Sequence, residues 1–192
     1  MSPVDLPAPL ATSKTAARSA LLTARRQLTP DQLAQASRLL LVQLSDLVRT
    51  KHPAVIATYE PFGSEPGVHL DRPLPERLAS AGGALHVLVP ILMADNDLDW
   101  RDWNDPSGRL GVTAIAEADL VIVPALAVDR TGVRLGRGGG SYDRALARVR
   151  PGVPIIALLH DGEVAHSLPA QPHDCRVTAV MTPTGGMIRL PF

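Results

Sequence analysis

Four glycines, three arginines and a carboxylate crowd into the eleven residues Arg134-Leu135-Gly136-Arg137-Gly138-Gly139-Gly140-Ser141-Tyr142-Asp143-Arg144. Glycines let a backbone approach a ligand closely and turn several N–H groups into one concavity. Arginines beside them supply planar, permanently charged forks for phosphate. Asp143, at the start of the segment that follows, could hold a metal ion against those phosphates. A flexible linker is the plainer reading, but linkers are rarely rich in arginine or pressed between apolar segments. Two familiar nucleotide motifs fail. No Gly-Lys-Ser/Thr closes the run, and Ser141 stands where a dinucleotide fingerprint opened at Gly136 needs its third glycine.

Other chemistry-bearing residues lie far away in sequence. Lys14, Arg18 and Arg25 fall within about 40° of one another around a helix, so their charges share a face. No acidic residue lies between Lys14 and Pro30 to neutralise them. Such a face is either solvated surface or half of an anion site. Glu60 and Glu65 follow a strand and could accept hydrogen bonds from a ligand's amide or amino groups, or be ordinary loop acids. His173-Asp174 closes a proline-rich turn, and Asp174 could be a second carboxylate for a metal near Asp143. Trp100 and Trp103 are expected to pack rather than stack on a ligand.

The elements that must position these groups alternate. Ser13 can cap a first helix reaching about Leu28. Thr29-Pro30-Asp31-Gln32 carries a threonine cap, a proline at the first helical position and glutamine three residues on, opening a helix to about Val48. That helix should bury Leu33, Ala36, Leu40, Leu44 and Leu47. Strands are expected at Val55–Tyr59, Leu85–Val89 (ended by Pro90), Leu120–Val123, Ile155–Leu159 and Val177–Met181. Helices are expected at Leu74–Ala81, closed by Gly82-Gly83, and at Tyr142–Val149. The pattern indicates an α/β domain with a mostly parallel sheet flanked by helices. The loops after Tyr59, Pro124 and Leu159 fall at the carboxyl ends of strands, where such sheets bind ligands.

Composition narrows the class. The 192 residues suit one domain over 13–192 after a loose tail at 1–12, and 45% are apolar. Nineteen basic and nineteen acidic side chains cancel, which argues against a nucleic-acid binder. The charges are segregated: six Lys/Arg against three Asp/Glu in 1–50, four against eleven in 60–120, six against two in 129–150. Basic ends around an acidic middle suit a small anion gripped from two places. Cys175 is the single cysteine, so no internal disulfide forms and a cytoplasmic location is expected. No apolar stretch approaches ~20 residues, so no membrane span is expected.

In three blocks, the chain resembles the 5-formyltetrahydrofolate cyclo-ligases, also called 5,10-methenyltetrahydrofolate synthetases. They are Lys14-Thr15-Ala16-Ala17-Arg18 with Arg26 and Ser37-Arg38; Pro124 to Arg144 around its Arg-Leu-Gly-Arg-Gly-Gly-Gly core; and Leu168-Pro169 with His173-Asp174. The resemblance implies a fold like the ribose-phosphate isomerase and CoA-transferase group, in an ATP-dependent enzyme acting as a monomer. ATP would be held by Lys14, Arg18, Arg134, Gly136, Arg137, Gly138, Gly139, Gly140, Ser141, Tyr142 and Asp143. Folate would contact Glu60, Glu65, Arg137 and Gly138 to Ser141, with Mg²⁺ at Asp143 and Asp174 and Arg137 as the catalytic side chain. The chain departs from the pattern at Ser141, where many relatives have an aromatic, at Gly139, where some have lysine, and at Pro66-Gly67-Val68. A sugar-phosphate or CoA-type enzyme of similar fold, or a non-catalytic nucleotide- or folate-binding protein, stays open as an alternative.

Overall fold

The computed structural model describes residues 13–82, 85–172 and 174–191. The expectations placed on the 1–12 tail, Gly83 and His173 lie outside them. Helix α1 spans Lys14–Arg25, capped by the Ser13 side chain, which accepts from Ala16 N. Helix α2 spans Pro30–Lys51 and opens on the anticipated reciprocal cap between Thr29 and Gln32. It runs a turn beyond the expected end. It buries Leu33, Ser37, Leu40, Leu41, Leu44 and Val48, whereas Ala36 and Leu47 are only half-buried.

The main sheet holds seven strands in the order β10-β9-β7-β4-β1-β2-β3. These are β1 (Val55–Ala57), β2 (His86–Leu92), β3 (Leu98–Asp102), β4 (Leu120–Pro124), β7 (Ile155–Leu158), β9 (Ala179–Thr182) and β10 (Gly186–Arg189). The five inner strands run parallel, and β3 and β10 pair antiparallel at the two edges. Alternation along each strand divides the core. Ile56, Leu120 and Ile122 pack under α2 and helix α3 (Leu74–Ala79). Ala57, Val121 and Val123 face Trp100, Ile115 and Leu146 on the other side. Both faces are covered, which is why the strands read as continuous apolar runs.

Strand β2 passes through Pro90 instead of ending there. Its pairing with β1 reaches only Leu88, whose carbonyl accepts from Thr58 N. Pro90 lies beyond that last rung, so its missing N–H breaks no ladder bond on the β1 side. The extension pairs Leu88 to Leu92 with Asp102 to Leu98 in a hairpin that sequence reading did not anticipate.

A second sheet, β6-β5-β8, is formed by β5 (Ala127–Asp129), β6 (Arg134–Leu135) and β8 (Val164–Ala165). Helix α1 packs on it through Ala17 and Leu21, against Leu126, Val133, Leu135 and Leu168. Helix α4 (Ser141–Leu146) is shorter than the Tyr142–Val149 expected. No helix among the described residues is long and apolar enough to cross a membrane.

Candidate active site

A cavity of about 470 Å³ opens at the carboxyl ends of β1, β2 and β4. It gathers every residue the sequence nominated: Lys14 and Arg18 from α1; Glu60 and Glu65 after β1; Arg134 and Gly136 to Asp143; and Asp174. These four chain segments, separated by up to 160 positions, meet a fifth that contributes Pro90, Leu92 and Leu98.

The glycine loop owes its course to backbone freedom. Gly138, Gly139 and Gly140 take φ values of +114°, +87° and +69° in succession, a region costly for side-chain-bearing residues. An added Cβ on Gly138 or Gly140 would meet nothing within 4 Å, so conformation and not space demands glycine there. The loop is pinned by arginines. Arg18 Nε donates to Gly136 O at 2.9 Å, and Arg137 Nε donates to Glu65 Oε1 at 3.0 Å. Each therefore engages through Nε, and its terminal guanidinium nitrogens make no hydrogen bond among the described residues. Those nitrogens form the outer edge of the fork that suits phosphate.

Glu65 is the buried acid of the site, 3% exposed. Burial pushes its carboxyl above the ordinary carboxylate range, opposed by the Phe62 N–H and by Arg137. Arg137 also lies over the Phe62 ring, 4.5 Å from its centre. His160, after β7, has Nε2 2.9 Å from Ser64 O and ties the loop carrying Glu65 to the sheet. Glu60 is more open and pairs with Arg101 Nη2 at 2.9 Å.

The α1 cations are not a one-signed face. Lys14 Nζ sits 2.7 Å from Asp174 Oδ2. Arg25, buried, binds both oxygens of Glu163 at 2.6 and 2.7 Å and donates to Ala125 O. The carboxylates missing locally are supplied from the far end of the chain, where sequence spacing could not locate them. Arg25 thereby anchors α1, while Lys14 and Arg18 reach the glycine loop and Asp174.

Asp143 Oδ1 accepts from Arg134 Nη2 at 3.2 Å and from Cys175 N at 3.3 Å, which brings the segment of Asp174 against it. Asp143 Oδ2 has no hydrogen-bond partner among the described residues. No group of three or more His, Cys, Asp or Glu able to hold a metal occurs among those residues. Asp143 and Asp174 both line the cavity, and one or two carboxylates fit Mg²⁺, which keeps waters and takes its remaining ligands from substrate phosphates.

The other wall is apolar: Tyr59, Phe62, Pro90, Leu92, Leu98 and Leu126. Sequence reasoning missed it because β3 was missed. The signal was present in the Asp95-Asn96 turn and in the alternation of Leu98 and Trp100 beyond it. Trp100 is in the core and Trp103 lies under Arg101, so neither lines the cavity.

The lining joins cations and glycines to apolar side chains and one buried acid, Glu65. The sequence profile of the 5-formyltetrahydrofolate cyclo-ligase family matches residues 11–183. The chain belongs to that family. A 5-formyltetrahydrofolate cyclo-ligase of Mycolicibacterium smegmatis is 37% identical over 93% of this chain and 97% of its own length. The cyclo-ligase of Escherichia coli is 29% identical over 83% of this chain and 94% of its own. Among solved structures, a 5,10-methenyltetrahydrofolate synthetase from Mycoplasma pneumoniae superposes with a TM-score of 0.75 at 21% identity, covering 89% of this chain and 99% of that one. The corresponding synthetase of Aquifex aeolicus gives 0.74 at 22% identity, over 93% of each chain. At those identities the superpositions speak for the α/β fold of the family, mostly parallel in its main sheet.

Proposed function

We propose that this cavity cyclises 5-formyltetrahydrofolate to 5,10-methenyltetrahydrofolate at the expense of ATP. The observation that carries the proposal is the joining in one cavity of phosphate-binding groups, Arg18, Arg137 and three left-handed glycines, with an apolar lining and the buried acid Glu65. The formyl oxygen on N5 attacks the γ-phosphorus and ADP leaves. N10 then attacks the activated carbon, loses its proton, and phosphate departs with the former formyl oxygen. No covalent enzyme nucleophile is needed, so positioning and charge stabilisation supply the catalysis.

Lys14, Arg18, Arg134 and the backbone from Gly136 to Asp143 hold the nucleotide. Arg137 is held on Glu65 through Nε, and its free guanidinium edge meets the charge that develops during transfer. Glu65 and Glu60 accept hydrogen bonds from the folate's amide and amino groups, and the pterin and aminobenzoyl rings lie on the apolar wall near Gly138 to Ser141. Asp143 and Asp174 would hold Mg²⁺, which when bound neutralises phosphate charge. Lys14, now on Asp174, would then turn to the phosphates. The working unit would be a monomer.

Isotopic labelling tests the order of bond making. With the formyl oxygen of 5-formyltetrahydrofolate enriched in ¹⁸O, the label is expected in inorganic phosphate. Label recovered in water and absent from phosphate would overturn the phosphoryl-transfer route.

A further inference from the structure

Arg144 does not itself line the cavity, yet it ties the glycine loop to the turn beside the apolar wall. Its Nη2 lies 2.7 Å from Asn96 O, 3.2 Å from Asp95 O and 3.3 Å from Gly139 O. The first two carbonyls belong to the turn between β2 and β3, whose flanking Leu92 and Leu98 line the apolar wall. The third belongs to the glycine loop. An Nη2 amine carries two protons, so three carbonyls compete for two donors. A shift of Gly139 that strengthens its bond therefore weakens the hold on the turn, and the reverse. Arg148 grips the same turn differently, with a two-pronged pair to Asp97 at 2.8 and 2.5 Å and, among the described residues, no hydrogen bond to the glycine loop.

We propose that Arg144 is a positioning residue that couples occupancy of the glycine loop to the placement of the apolar wall, so that nucleotide and folate bind cooperatively. The proposal rests on the two-ligand reading of the cavity. Phosphate binding recruits the N–H groups of the loop and resets Gly139. Through the shared amine, the hairpin then settles into the position that receives the ring system.

The test measures the Kd of 5-formyltetrahydrofolate with and without a saturating non-hydrolysable ATP analogue and Mg²⁺. In the unaltered protein the ratio should be about 5-fold or more, within the usual span of coupled sites. Arg144→Ala and Arg144→Gln should bring it below about 2-fold, with the same loss when nucleotide Kd is read against folate, as reciprocity requires. Arg148→Ala removes a clamp on the same turn but not the link, and should keep the ratio. Equal loss of coupling in Arg144→Ala and Arg148→Ala would reduce Arg144 to a structural clamp and overturn the proposal. So would an unchanged ratio in Arg144→Ala, or a ratio near one in the unaltered protein. Failure of the unaltered protein to bind folate at all would instead overturn the functional reading beneath it.

Discussion

Arg18 and Arg137 each commit one nitrogen to the protein and keep the outer edge of the guanidinium for a ligand. Lys14 has no such reserve, since its ammonium is paired with Asp174. Different kinetic signatures follow. Lys14→Ala should chiefly raise the apparent KM for ATP, by roughly one to two decades if a charge-assisted contact of ~1.5–3 kcal/mol is lost. Arg137→Ala should lower kcat more than it raises that KM, because its contact matters most as charge develops. Steady-state kinetics with ATP varied at saturating folate check both. An ATP dependence untouched in Lys14→Ala would confine the nucleotide to the glycine loop. Asp143→Asn should remove most turnover and weaken the response of rate to Mg²⁺, while far-ultraviolet circular dichroism stays unchanged. A metal titration curve identical to that of the unaltered protein would show that Asp143 is not a ligand.

At the scale of elements, α1 serves as a lever held at its far end. Arg25 is 2% exposed and its partner Glu163 8%, so Glu163→Ala leaves a buried charge unpaired. Loss of about 3–5 kcal/mol is expected, which for a chain of this size lowers Tm by roughly 6–20 °C. Calorimetry checks it; an unchanged Tm would mean that α1 is anchored by its apolar face alone. The hairpin clamp should show itself in acid. Arg148 holds the Asp97 carboxyl down from 3.8 to about 2. A lowered folded-state value adds stability above the unfolded value, and that stability is lost as pH falls from near 4 through about 2. Asp97→Asn should therefore lower Tm at pH 7, where the ion pair is intact, flatten the decline over that window, and change little near pH 2. Helix starts and inner strands were legible in the sequence because caps and apolar runs are local signals. The β2–β3 hairpin was not, since Pro90 reads as a terminator until the end of β1 shows that its N–H is not needed there. The small sheet was illegible for a plainer reason: two of its strands have only two residues each.

Across the whole molecule, the zero formal charge conceals pairing over long chain distances: Lys14 with Asp174, Arg25 with Glu163, Arg137 with Glu65. The sequence disclosed which residues were chemically equipped, and the sheet's carboxyl edge disclosed where they meet. It could not disclose that the N-terminal cations were already partnered, because closure of those pairs depends on the fold. The central claim is that this shared cavity couples ATP to folate ring closure. Purified protein with 5-formyltetrahydrofolate should generate the absorbance of 5,10-methenyltetrahydrofolate when Mg²⁺ and ATP are both supplied, with one ADP released per methenyl product. Omitting the nucleotide should abolish the signal. Methenyl product appearing at the same rate without ATP, or none appearing with it, would contradict the account.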